Sequence, residues 1–234
     1  MIVDLFKSVI EALTQTISIN SVDVSGNTYK FNVSKTYWAR PSILNKSRAT
    51  KVTIDSVVYD IESVVYNTSI SVTTTDDLSN AESLTIAAPI YINGTYNAVN
   101  DTRSKANKTY DNCPFVWLVE PFVADERKDR LSIIQSQPDL TLLFLDNANS
   151  RDWTTDDHYS NVIQPMDELV EAFYQKILKT RASFGRISNW RVVRHAKFGK
   201  QSDFSHINSI INENTSGIEV RLTIEILKNL SCNN

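Results

Sequence analysis

LLFLDNANSRDWTTDDHYSNVIQPMDELVEAF, residues 142–173, is the stretch on which the fold turns. The run Leu140 to Leu145 is apolar on both faces, as in a central strand. A polar loop follows and gathers Asp146, Asp152, Asp156, Asp157 and His158. Val162, Met166, Leu169, Phe173 and Ile177 then recur at three- and four-residue spacing, widened by Ile163 and Val170, and predict an amphipathic helix. Pro165 suits its first turn, where a missing N–H costs nothing. Asp167 and Glu168 near the start, with Lys176, Lys179 and Arg181 at the end, complement the helix dipole. Gly185 is the expected stop. The stretch poses a choice. Acids and a histidine beyond the C-terminal end of a strand line a ligand site in an α/β enzyme, or they cap and solvate a connection.

The spacing favours the connection. A metal site needs its ligands within about 2–2.5 Å of one ion. Asp156, Asp157 and His158 are consecutive, so their side chains diverge. His195 and His206 stand alone, and no HxH, HExxH or EF-hand spacing occurs. The acids and Ser160 therefore read as caps of the helix. No GxSxG or CxxC occurs, and the five glycines, Gly26, Gly94, Gly185, Gly199 and Gly217, are isolated, which excludes a P-loop and a dinucleotide fingerprint. Cys113 and Cys232 read as buried thiols. No catalytic residue, cofactor or metal is expected.

On either side of this stretch the pattern changes. Ile2, Leu5, Phe6, Val9, Ile10, Leu13 and Ile17 predict an amphipathic first helix ending near Thr16. From Ile17 to about Asn107 the helical period disappears. Short β-branched and aromatic runs (YKFNV, KVTIDSVVYDI, SVVYNTSISVTT, SLTIAAPIYI) alternate with polar turns, which predicts about five strands. Thr73 to Ala81 reads as a turn, and Asn97 to Asp111 as an exposed connection. PFVWLVEPF reads as a second central strand ended by Pro121, followed by a charged run, ADERKDR. RISNWRVVRHAKFG is a strand. GIEVRLTIEILKN alternates with period two, leaving one face buried and one wet or against a neighbour. The expected fold is α+β: an antiparallel sheet packed with two main helices, with an inserted β-rich module. Residues 1–16 and 112–234 form the first domain, and 17–111 the insertion.

With 234 residues, 41% apolar and 22% charged, the chain has the composition of a soluble globular protein. The net charge of −3 recommends neither nucleic acid nor an anionic membrane as the main partner. Asp4 and Glu11 interrupt the first apolar run, so neither a signal peptide nor a membrane span is expected. Asn-x-Ser/Thr triplets at Asn32, Asn45, Asn67, Asn93, Asn100, Asn107, Asn214 and Asn229 follow from an Asn-, Ser- and Thr-rich composition. The basic run around Trp190, with Arg186, Arg191, Arg194, His195, Lys197 and Lys200, admits a nucleic-acid face. It equally admits a strand with charged edges, or a pore lining. In YWARP, Trp38 and Arg40 suit either an interface or the core of the module.

The first helix, the PFVWLVEPF and LTLLFLD strands, the WTTDDHYSNVIQPMDELVEAFYQKIL loop and helix, and the closing SGIEVRLTIEIL strand together resemble the tail-terminator and tail-completion proteins of tailed bacteriophages, in the versions from Bacteroidetes-type phages. The resemblance covers residues 1–16 and 112–234. It implies a structural virion protein, not an enzyme, assembled in the host bacterial cytoplasm. It implies a ring homo-oligomer, a hexamer or dodecamer, at the neck, the head–tail connector or the tail end. Its partners would be portal, neck or tail proteins, and DNA passing through the lumen without sequence-specific binding. Glu219, Arg221, Glu225, Trp38, Arg40, Arg191 and Arg194 are then the candidates for subunit interface or lumen. Two other readings stand beside it. One is a carbohydrate- or host-surface-binding β module using Tyr91 and Tyr96. The other is a metal-assisted hydrolase using the Asp146–His158 loop.

Overall fold

The computed structural model describes residues 2–41, 48–95, 97–99, 113–128, 133–148, 152–180, 185–199 and 214–229, with backbone alone for 123–128, 133–136, 199 and 226–229. Helix α1 (Ile2–Glu11) buries Phe6, Val9 and Ile10. It ends before Thr16 because Gln15 already starts a strand. Ile17 satisfies both the helical stripe and the alternation of that strand, and the sequence pattern alone does not separate them.

Six strands follow: β1 (Gln15–Ser25), β2 (Thr28–Val33), β3 (Lys51–Ile54), β4 (Val57–Val65), β5 (Ser69–Thr73) and β6 (Ser83–Ile86). They close into an antiparallel barrel in the order β1-β2-β5-β4-β3-β6. Ile17, Tyr29, Phe31, Val33, Val52, Ile54, Tyr59, Ile61, Ile70, Val72, Leu84 and Ile86 are buried and recur at every second position along their strands. A barrel this small is filled by its side chains and leaves no channel. Closure also leaves the barrel without an open sheet edge. Gly26 turns the β1–β2 hairpin at φ 60°, while Asp55 and Ser56 turn β3 into β4 at φ 48° and 69°. Residues 74–82 connect β5 to β6 where a turn was expected from Thr73 to Ala81; Thr73 itself ends β5, and Leu78 and Ala81 are buried.

The second body is a sheet of β7 (Ile90–Gly94), β8 (Phe115–Val119), β9 (Val123–Lys128), β10 (Ile133–Asn147), β11 (Arg186–Gly199) and β12 (Asn214–Asn229). Its order is β11-β12-β10-β8-β7, with β9 pairing the first part of β10. Three expectations change. The chain is α+β but mostly strand, a closed barrel and a second sheet, in place of one antiparallel sheet packed with two main helices. The run SLTIAAPIYI divides: SLTI closes the barrel, and IYI continues into β7, which lies parallel to β8. The charged stretch VADERK is a strand, because β10 is long enough to pair it beyond the end of β8.

The second helical region begins earlier than the apolar stripe indicates. A short helix α2 (Thr155–His158) passes through a π turn (Tyr159–Ile163) into α3 (Gln164–Lys179). The Gln164 N–H bonds the Tyr159 carbonyl, five residues back. That widened turn falls where Pro165 withholds a donor and crowds the carbonyl four residues before it. α3 stops at Lys179, with the Thr180 hydroxyl donating to the Lys176 carbonyl at 2.8 Å, so Gly185 is not its stop. Gly185, at φ 72°, leads instead into β11. The predicted stripe of α3 is buried throughout. Its hub is Phe173, in ring contact with Phe6 of α1, Phe144 of β10 and Trp190 of β11. Burying such a ring contributes roughly 1.5–3 kcal/mol. One core runs through the barrel, both helices and the helix-side face of the sheet.

Candidate functional site

The acidic loop does not converge. Asp146, at the end of β10, is fully buried and turns away from the loop toward the barrel side, where Arg40 Nε lies 3.0 Å from its Oδ2. By distance this is an ion pair, though not an aligned hydrogen bond. Arg40 Nη1 also donates to the Asn147 carbonyl at 3.2 Å. Asp157 closes a capping box: its Oδ2 accepts from the Thr154 N–H at 2.8 Å and hydroxyl at 2.7 Å, while the Thr154 hydroxyl accepts from the Asp157 N–H. Those bonds hold the Asp157 carboxyl below its ordinary pKa. Ser160 bonds the Asp156 carbonyl and so is not the N-cap; Thr154 is. Thr154-x-x-Asp157 was visible in the sequence as a capping-box spacing, and the reading from acids alone overlooked it.

His158 is buried, with Nδ1 2.7 Å from Ser216 Oγ. Ser216 gives its one hydroxyl proton to the Ala196 carbonyl. Nδ1 of His158 therefore carries the proton and donates to Ser216. Trp153 packs edge-on against the imidazole at 5.3 Å. Arg40, Asp146, His158 and Ser216 form buried polar links between barrel, sheet and helix, with all four side chains shut away from solvent. Among the described residues no group of three or more His, Cys, Asp or Glu is placed to hold a metal ion.

The groups that do reach solvent together lie on the sheet face away from α3. Partners in register share a face. The register places Arg191 opposite Arg221, Val193 opposite Glu219 and Arg186 opposite Glu225. Arg191 and Arg221 are exposed. Glu219 is buried beneath them, accepting from His195 Nε2 at 3.0 Å and from Arg221 Nε. The His195 bond and then Arg221 draw its pKa below the ordinary value, against the opposing effect of burial. Glu225 accepts from Gln137 at 3.4 Å. Toward β8 the same face turns apolar: Phe115, Trp117, Leu143, Leu145 and Phe198 cluster with Val99 and Cys113. Val99 thus places part of the expected exposed connection in a core.

The remaining candidates separate. Arg194 lies on the helix side and grips Asp167 of α3 with two bonds, at 3.0 and 2.8 Å. Trp38 is fully buried, its indole N–H on the Ala87 carbonyl at 3.2 Å, and Arg40 is 1% exposed. Neither of these two is available to a neighbouring subunit. Tyr91 belongs to β7 and not to the barrel, and burial raises its pKa. Tyr96, Arg181, Lys200, His206, Cys232, Asn45, Asn100, Asn107 and most of the expected connection 97–111 lie outside the described residues. A cleft of about 540 Å³ opens where the end of α1, the loop with Lys35 and Tyr37, and α3 meet. Its wall mixes Lys35, Lys176 and Lys179 with Glu168 and Glu171, so it favours neither sign of charge. No helix among the described residues is long and apolar enough to cross a membrane. No family model matches the chain, and no curated protein matches it.

Proposed function

We propose that the chain is a non-enzymatic structural virion protein of a tailed phage, a ring-forming component of the neck, head–tail connector or tail end. In this reading the sheet with α1 and α3 is the tail-terminator-like part, and the barrel is a module inserted into it. The observation that carries the reading is the open face of β11 and β12. Two guanidiniums stand opposite each other there, on a long pair of strands at one side of the sheet. Arg221 is braced on Glu219 within the chain, whereas Arg191 opposite it is exposed, so the face offers a cation that a neighbour's carboxylate can meet. The heterologous contacts of a ring provide such a neighbour. Neighbouring portal, neck or tail proteins complete the assembly. DNA passes through the ring and not through the barrel, which is filled.

Light scattering with negative-stain images of the same purified sample tests this. Rings with a central hole and a mass at a discrete multiple of 26.5 kDa are expected. A monomer at every concentration overturns the self-closing ring.

A further inference from the structure

The chain holds one Asn-Gly step, Asn93-Gly94. It ends β7, the five-residue strand at one edge of the sheet. Asn93 is exposed, and Gly94 is buried at φ 140°, a backbone shape that glycine takes without strain. A glycine has no side chain to shield its own nitrogen, so that nitrogen can reach the carboxamide carbon of a preceding asparagine. The fold holds the two apart. The Gly94 carbonyl accepts from the Glu120 N–H at 3.0 Å and from the Trp117 indole N–H at 2.9 Å. Asn93 Nδ2 donates to Glu120 Oε1 at 3.3 Å. Backbone and carboxamide are thus both tied to β8 and the residue after it, and the carboxamide cannot swing over Gly94 while those bonds last. A short edge strand is also the kind of element that opens without global unfolding.

We propose that Asn93-Gly94 is a deamidation site gated by the pairing of β7 with β8, shut in the paired strand and reactive when β7 lifts. The Gly94 nitrogen attacks Asn93 Cγ, loses its proton to water and expels the side-chain nitrogen as ammonia, which closes a succinimide. One water then opens the ring at either carbonyl and leaves aspartate or isoaspartate at 93. The substrate is the chain itself, and the co-reactant is water. The product does not fit back. The amide that donated to Glu120 becomes a carboxylate beside it, and like charges that close repel. The surroundings are already negative: Glu120 and Asp4 both raise the pKa of the Tyr91 hydroxyl, which burial raises most. Isoaspartate also adds a methylene to the main chain and takes Gly94 out of register with Val119. The step therefore runs one way and leaves β7 loosened, however the copies assemble.

Peptide mapping of the full chain, aged at mildly alkaline pH in water enriched in heavy oxygen, tests the chemistry. Asn93 is expected to convert first among the asparagines, to take up one heavy oxygen, and to react at least tenfold faster in urea than in the folded protein. If Asn93 in urea is no faster than Asn32, which precedes Val33, the site is overturned. Equal rates in the folded and unfolded chain overturn the gate. Asn93→Asp, made directly, tests the consequence. It is expected to lower the thermal midpoint and to speed amide exchange along β7, while Asn93→Gln behaves as the parent. N93D/E120Q is expected to regain the parent's midpoint, because the amide at 120 can donate to the new carboxylate. If N93D is as stable as the parent, or if E120Q does not rescue it, the fold accommodates the product and the one-way step is overturned.

Discussion

Arg40 and Asp146 set the clearest residue-scale stake. Both side chains are essentially out of water, and a guanidinium and a carboxylate stripped of solvent are tolerable only together. Arg40→Ala leaves Asp146 buried with its cation gone, and is expected to cost about 3–5 kcal/mol. Arg40→Met with Asp146→Leu removes both charges and is expected to cost less than the single change. Urea unfolding of the two variants checks this, and a double variant no better than the single one would sink the argument. Gly217 is constrained for a different reason. A Cβ there would lie 2.0 Å from the Phe144 carbonyl oxygen, so β10 and β12 pair this closely only across a glycine.

At the scale of elements, β12 carries the pH response. Glu219 is held below its ordinary value of 4.5 in the fold, first by His195 and then by Arg221. A carboxyl with a depressed folded pKa contributes stability that is fully present above the unfolded value. That contribution is lost as pH falls through the folded one. The stability advantage of the parent over Glu219→Gln should therefore shrink as pH is lowered from about 6 to 3, read from chemical denaturation midpoints at each pH. A gap independent of pH would contradict it. The elements also differ in how far the sequence announces them. The α3 stripe and the alternation of Ile218, Val220, Leu222 and Ile224 in β12 are local periodicities and both are legible in the sequence, although Glu219, on the face expected to be wet, is buried. β9 is not, because VADERK has no apolar period and becomes a strand only by pairing with β10. β7 is not, because its parallel partner β8 lies beyond a long polar segment. The candidate site divides the same way. The row of exposed Arg191 and Arg221 with half-buried Glu225 follows from alternation. The burial of Trp38 and Arg40 depends on Ala87, Asp146 and Asn147, with 107 positions separating Arg40 from Asn147.

For the whole molecule, the two ends of the barrel nearly touch. Gln15 of β1 and Ile86 of β6 are register partners, and antiparallel partners stand about 5 Å apart. Thr14 and Ala87 can therefore be joined by a linker of a few Gly and Ser residues. What opposes excision is the shared core and the buried ion pair, since residues 15–86 include Arg40 and removing them strands Asp146. The Tyr66–Glu168 bond between barrel and α3 is exposed and matters little by comparison. The excised chain with native Asp146 is expected to be unfolded or aggregated, whereas the same chain carrying Asp146→Leu should recover soluble, cooperatively unfolding protein. The isolated barrel, residues 15–86, has closed hydrogen bonding and its own apolar interior, and should fold once Arg40 is replaced by Met. Thermal unfolding by circular dichroism on the three proteins decides it. If neither half unfolds cooperatively after its charge is removed, barrel and sheet are one folding unit.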